Sequence, residues 1–131
     1  MRVAGSRQLK LQISDLRQRA RAGDVHSEKM LQAVAAELEL VRLLKHKPNE
    51  DLPLLMRVRQ SRRYEVWRVS HPYIEDLAVR TIIWFVDPET AVLALFVSDK
   101  ARMGDVFYDT VGARADQIIE EWCRSTRAEE Q

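Results

Sequence analysis

Apolar residues recur with two different periods along this chain, and the change of period divides it. Leu9, Ile13, Leu16 and Ala20 follow one another at spacings of four, three and four. That is a single stripe on a helix, predicted over residues 6–22, with Arg17, Arg19 and Arg21 largely off it. Gly23 stands where a helix end favours a left-handed residue. Asp24 or Ser27 can cap a second helix, whose stripe of Met30, Leu31, Val34, Leu38 and Val41 runs to about residue 45. Glu37 and Glu39 are expected on its exposed face. Lys45, His46 and Lys47 occupy the last turn, where cations are favoured by the helix dipole, and Pro48 stops the helix. Two such helices with a short joint predict an antiparallel hairpin.

Beyond Pro48 the period shortens. Residues 54–59 alternate loosely, with Arg57 and Arg59 on one side and Met56 and Val58 on the other. Residues 64–69 resume after the Gln-Ser-Arg-Arg break at 60–63, which predicts a two-stranded hairpin ending near His71-Pro72. Residues 78–86 are rich in β-branched and aromatic side chains, the composition of a strand. Asp87-Pro88-Glu89-Thr90 reads as a turn, since proline presets φ and the aspartate can accept a local bond. Residues 91–97 are continuously apolar, which predicts a central strand buried on both faces. A polar loop over 98–104 leaves the sheet. A last helix is expected from about 110 to 124, carrying Val111, Ala115, Ile118, Ile119 and Trp122, with a frayed polar tail after Ser125. The predicted class is α+β: a helical hairpin (about 6–45) packed on a small antiparallel sheet (about 54–97), followed by a C-terminal helix, all in one domain spanning 1–131.

Composition narrows the chemistry. The net charge of +1 excludes a polybasic protein on totals. Its distribution is uneven: residues 1–23 carry +5, residues 24–53 carry −2, residues 54–104 carry +2 and residues 105–131 carry −4. Arginine dominates among the cations, and its forked donors suit phosphate and carboxylate. A single cysteine, Cys123, excludes an internal disulfide and a multi-cysteine zinc site, and it is expected to be an inert thiol on the apolar side of the last helix. His26, His46 and His71 lie in three different segments without a second ligand at metal spacing, so no metal and no cofactor are expected. The four glycines are scattered and form no phosphate loop. The Arg21-x4-His26 spacing matches the Arg-x4-His signature of helical HEPN ribonucleases, but it crosses a predicted helix break in a chain with strands. No apolar stretch approaches the ~20 residues of a membrane span, and no signal core opens the chain, so a cytoplasmic protein without membrane contact is expected.

One constellation remains. Arg57, Arg59, Arg62, Arg63, Arg68, Arg80, Lys100 and Arg102 all fall in the strand region or its exit loop. Arg80 interrupts an apolar strand, where an unpaired guanidinium is costly unless it reaches a carboxylate, solvent or a ligand. Internal candidates for a partner are Asp76, Asp99 and the acidic C-terminal helix. Without such a partner, cations of this kind can grip a phosphodiester and stabilise a pentavalent transition state.

The order of these segments resembles the RelE/ParE toxin superfamily, in particular its HigB-type branch found in phages and mobile elements. The resemblance covers about residues 24–122. It rests on the helical hairpin, the YEVWRV strand at 64–69, the strand RTIIWFV opened by Arg80, the turn, the buried strand and the loop SDKARMGDVFYD at 98–109. The first strand of that family is reduced here to residues 1–4 or is missing. The resemblance implies a toxin of a type II toxin–antitoxin pair: a ribosome-associated mRNA endonuclease, metal-independent, silenced in a hetero-oligomeric complex with a small DNA-binding antitoxin. It implies catalytic roles for Arg80, Lys100 and Arg102, with Tyr108 as the phenolic group of proton transfer. Arg68 resembles the preceding strand's arginine. Arg57, Arg59, Arg62, Arg63 and Arg68 are the expected RNA contacts. The same fold also serves gyrase-poisoning toxins and binding proteins without nuclease activity, including phage interaction proteins.

Overall fold

A computed structural model describes residues 1–59, 61, 63–71, 77–99 and 107–130, with only the backbone given for 107–109 and 128–130. The elements run β1 (Arg2–Gly5), α1 (Arg7–Arg21), α2 (Val25–Arg42), β2 (Leu55–Arg57), β3 (Val66–Val69), β4 (Val79–Asp87), β5 (Ala91–Asp99) and α3 (Phe107–Glu130). The five strands form one sheet in the order β1-β5-β4-β3-β2. β2 to β5 are antiparallel neighbours, as the short connections require. β1 adds a parallel edge, with Arg2 opposite Ala91 and Gly5 opposite Ala94. The chain is therefore α+β with a mixed sheet, the helical hairpin on one face and α3 on the other.

Local chemistry explains the joints. The Ser6 hydroxyl accepts from the Leu9 N–H at 3.0 Å and donates to the Leu95 carbonyl at 2.5 Å, so one side chain caps α1 and ties it to the central strand. Gly23 has φ +99°, the left-handed conformation that lets the chain reverse. Asp24 is the cap of α2, accepting from the His26 N–H at 3.1 Å and the Ser27 hydroxyl at 2.7 Å. The Asp87 carboxylate accepts from the Glu89 and Thr90 N–H groups at 2.9 and 3.2 Å and fixes the turn into β5. Past the end of β1, the Gln12 amide accepts from the Val97 N–H at 2.8 Å and donates to its carbonyl at 2.9 Å. A side chain there completes the edge of β5 that the short β1 leaves open.

Two apolar layers follow from the alternation of β4. Val79, Ile83 and Phe85 join Trp67, Val69, Val92 and Ala94 beneath the helical hairpin, packed with Leu9, Ala33, Val34 and Val41. Ile82 joins Val66, Leu93, Leu95 and Phe96 on the opposite face, covered by Val111, Ala115, Ile118 and Ile119 of α3. β5 is buried along both faces, as its apolar run predicts. The β4–β5 register shifts after Ile82, which pairs with Phe96 while Ile83 pairs with Ala94. Leu95 is the extra residue of a bulge, and both Leu95 and Phe96 point to α3.

Two expectations are corrected. α3 continues to Glu130 rather than fraying after Ser125, because no glycine or proline interrupts it beyond Gly112. Glu37 is not on the exposed face of α2. It is 1% exposed, facing the sheet, while Glu39 is exposed and holds Arg42.

Candidate nucleic-acid interface

Strand alternation decides which arginines can act together. On β4, Val79, Ile83 and Phe85 face the helical hairpin, so Arg80, Ile82 and Trp84 face α3. Arg68 sits opposite Ile82 on β3, and Phe96 sits opposite Ile82 on β5. Arg68 and Arg80 are thus diagonal neighbours on one face, at about 7–8 Å between their positions. Met56 lies opposite Arg68, its sulfur 3.2 Å from the guanidinium, and Ser98 lies opposite Arg80. From α3, Arg114 lays its guanidinium 4.2 Å from the centre of the Phe96 ring. Desolvation at that position lowers the Arg114 pKa, the direction a cation takes when water is withdrawn.

Arg80 is half-buried at this end of the sheet. One of its terminal nitrogens donates to the Val79 carbonyl at 2.9 Å, and its Nε is buried with no partner. No ion pair among the described residues includes Arg80 or Arg114. Arg68, Arg80 and Phe96, with Arg114 laid on its ring, thus share the α3-facing side of the sheet, and neither Arg80 nor Arg114 has a carboxylate partner among the described residues. Such an arrangement can accept an anion with several oxygens, because the forks hold their donors in fixed planes.

The other candidates are placed differently. Arg57 lies opposite Trp67, on the helical-hairpin side, with its guanidinium 5.9 Å from the indole centre. Asp51 takes its backbone N–H at 3.0 Å and lies 3.4 Å from its Nε. The same carboxylate lies 3.7 Å from Arg59. The Arg57 N–H foremost, then the two guanidinium groups, hold the Asp51 carboxyl below its ordinary pKa. Arg63 is paired with Glu120 of α3. Arg57, Arg59 and Arg63 do line a shared cleft of about 490 Å³ with Tyr64 and Glu65, but each is already paired, the first two with Asp51 and the third with Glu120. The structure thus groups Arg68 with Arg80 and separates Arg57, Arg59 and Arg63 from them. Arg62, Lys100 and Arg102 lie outside the described residues. Tyr108 falls in the first turn of α3, its side chain likewise outside them.

Two features escaped the sequence reading. Arg114 joins the site from α3, and the signal was its place one residue before the buried Ala115 in an otherwise acidic segment. The second is a buried acid–histidine pair on the opposite face. The Glu37 carboxylate lies 2.6 Å from His71 Nδ1, and its second oxygen accepts from the Thr81 N–H at 2.7 Å. Burial first raises the Glu37 pKa, and the hydrogen bond with His71 pulls against it. Both side chains are nearly inaccessible, 0% for the glutamate and 3% for the histidine, so the pair cannot meet a substrate.

Among the described residues no cluster of three or more histidines, cysteines or acids could hold a metal, and no helix is long and apolar enough to cross a membrane. Comparison with protein-family models, with curated proteins and with solved structures returns no match.

Proposed function

We propose that the α3-facing end of the sheet binds the phosphodiester backbone of RNA, and that the protein is a RelE/HigB-like toxin that cleaves mRNA. The observation that carries this reading is Arg80. A half-buried guanidinium with no carboxylate partner among the described residues, and with an unpartnered Nε, is costly in the free protein. A phosphate placed between Arg80, Arg68 and Arg114 supplies the missing counter-charge. The same groups would stabilise the extra negative charge that develops when a ribose 2′-oxygen attacks the adjacent phosphorus and the 5′-oxygen leaves. In this proposal Lys100 and Arg102 add charge from the exit loop and Tyr108 handles the proton, roles that the resemblance assigns. Action on the ribosome and neutralisation by a cognate antitoxin belong to the same proposal.

The test is inducible expression of wild type and Arg80→Ala, with growth and mRNA ends followed together. Wild type should arrest growth and produce specific cuts in translated mRNA. Arg80→Ala should lose both while keeping the urea midpoint of the wild type. Undiminished cutting by Arg80→Ala would exclude the mechanism. Growth arrest with intact mRNA would instead mark a toxin that acts by binding, for example on gyrase.

A further inference from the structure

The two edges of the sheet are finished differently. At the β2 edge, Leu52 and Leu55 exchange backbone hydrogen bonds and Asp51 accepts the Arg57 N–H, so outward groups are answered within the chain. β1, at the other edge, pairs only with β5. The Arg2 and Ser6 N–H groups donate inward to the Thr90 and Ala94 carbonyls at 2.9 Å. Backbone direction alternates along a strand, so Val3 and Gly5 turn their polar groups outward. Among the described residues nothing meets the outward N–H and C=O of Val3 or the N–H of Gly5.

That open edge runs into a cleft of about 740 Å³ between the start of α1 and α3, which Gly5 itself lines. Leu11, Ile118 and Trp122 give the cleft an apolar lining, and Leu11 is 61% exposed. Arg7, Lys10 and Arg124 line it too, all exposed, and no ion pair among the described residues includes them. Against these three cations stands one lining acid, Glu121, which accepts from the amides of Gln8 at 2.8 Å and Gln117 at 3.5 Å. The first turn of α1 holds no acid, so its dipole adds to the positive potential.

We propose that β1 and this cleft together receive an extended acidic segment of a protein partner. The segment adds a strand beside β1, seats an apolar side chain against Leu11, Ile118 and Trp122, and sets its carboxylates against Arg7, Lys10 and Arg124. The inference does not rest on the RNA reading of the Arg80 face. Backbone chemistry selects a peptide, because Val3 offers an acceptor as well as a donor and a phosphodiester has no N–H to give it. The excess of cations selects an acidic one. The same charge opposes a second copy of this chain, since antiparallel pairing of two β1 strands would gather Arg2 and Arg7 of both copies along one seam.

The test pans a displayed library of random decapeptides on the full chain and measures the best peptide by fluorescence anisotropy. Selected peptides should alternate Asp or Glu with apolar residues. R7E/K10E should weaken binding about tenfold or more. V3P should do the same, because the Val3 N–H takes no part in the β1–β5 ladder and its loss removes only the outward donor. N-methylation of the peptide at alternate residues should abolish binding in one register and spare it in the other, a signature of strand addition that needs no change to the protein. Arg80→Ala should bind the peptide as wild type does, so this inference and the RNA reading fail separately. Recovery of no binder, binders without acidic enrichment, or equal tolerance of both N-methyl registers would overturn the proposal. An RNA oligonucleotide that binds more tightly than the peptide and is lost in R7E/K10E would overturn a peptide as occupant. A dimer in sedimentation that V3P dissociates would replace the partner by a second copy.

Discussion

Replacing Glu37 tests whether a buried carboxyl pins α2 to the sheet. β3–β4 pairing ends at Val69 opposite Thr81, and His71 lies two residues past that end. Glu37 bridges the gap, one oxygen on the Thr81 N–H and the other on the imidazole. Glu37→Ala leaves two buried polar groups without partners, each costing about 1–3 kcal/mol. Together the two groups cost about 2–6 kcal/mol. We expect a loss of about 3–5 kcal/mol, a large share of the ~5–15 kcal/mol that holds a domain of this kind together. Glu37→Gln keeps an acceptor for Thr81 and should cost less than half as much. Urea denaturation of both variants reads the difference. A loss below about 1 kcal/mol for Glu37→Ala would refute the pinning.

The same carboxyl sets a pH dependence. Burial raises its pKa above the ordinary 4.5, so the native state holds this proton more tightly than the unfolded chain does. The stability it contributes is complete below 4.5, falls as pH rises through the raised native pKa, and is flat above it. Subtracting the Glu37→Gln series from wild type between pH 4 and 8 isolates this contribution. The difference should decline with rising pH, and a difference that is flat or grows would show that burial does not dominate.

Two further outcomes concern the joints of the fold. Ser6→Ala removes the cap of α1 and the bond to Leu95 together and should cost about 1–2 kcal/mol in urea unfolding. Gln12→Ala exposes the unpaired edge of β5 at Val97 and should cost about 1–3 kcal/mol; hydrogen exchange at the Val97 amide should speed up while that of Ala94, still paired with β1, does not.

Much of the architecture was legible because it is written in periods. The two helical stripes, the β-branched strand, the turn at Asp87-Pro88 and the doubly buried β5 each follow from spacing and composition. β1 was harder to read because four residues are too few to show a period, and its partner is a strand almost 90 residues away. Glu37 was misplaced for a related reason. A charge beside an apolar stripe reads as solvated, and only the tertiary pairing with His71 and Thr81 makes its burial tolerable. The cationic residues could be named from the sequence but not sorted. Arg57 and Arg59 are quenched by Asp51, six or more residues away in the chain, and Arg63 by Glu120 in another element. Neither pairing has a local signature.

The sorting of charge by β4 also explains why Arg80 keeps its charge unanswered. Its neighbour Thr81 offers its backbone N–H to Glu37 on the helical-hairpin side, so that buried acid lies behind the sheet from Arg80. A slip of one residue in β4 would turn Arg80 toward that carboxylate and make an ion pair. It would also turn Val79, Ile83 and Phe85 out of the larger apolar layer and drive Ile82 into it. Each layer is close-packed around its own side chains, so exchanging them leaves voids on one face and overpacking on the other, at about 1–3 kcal/mol for each misfitted side chain. Hydrophobic register therefore holds Arg80 on the side where no described acid meets it, and the sheet itself keeps the buried acid from neutralising the cationic face.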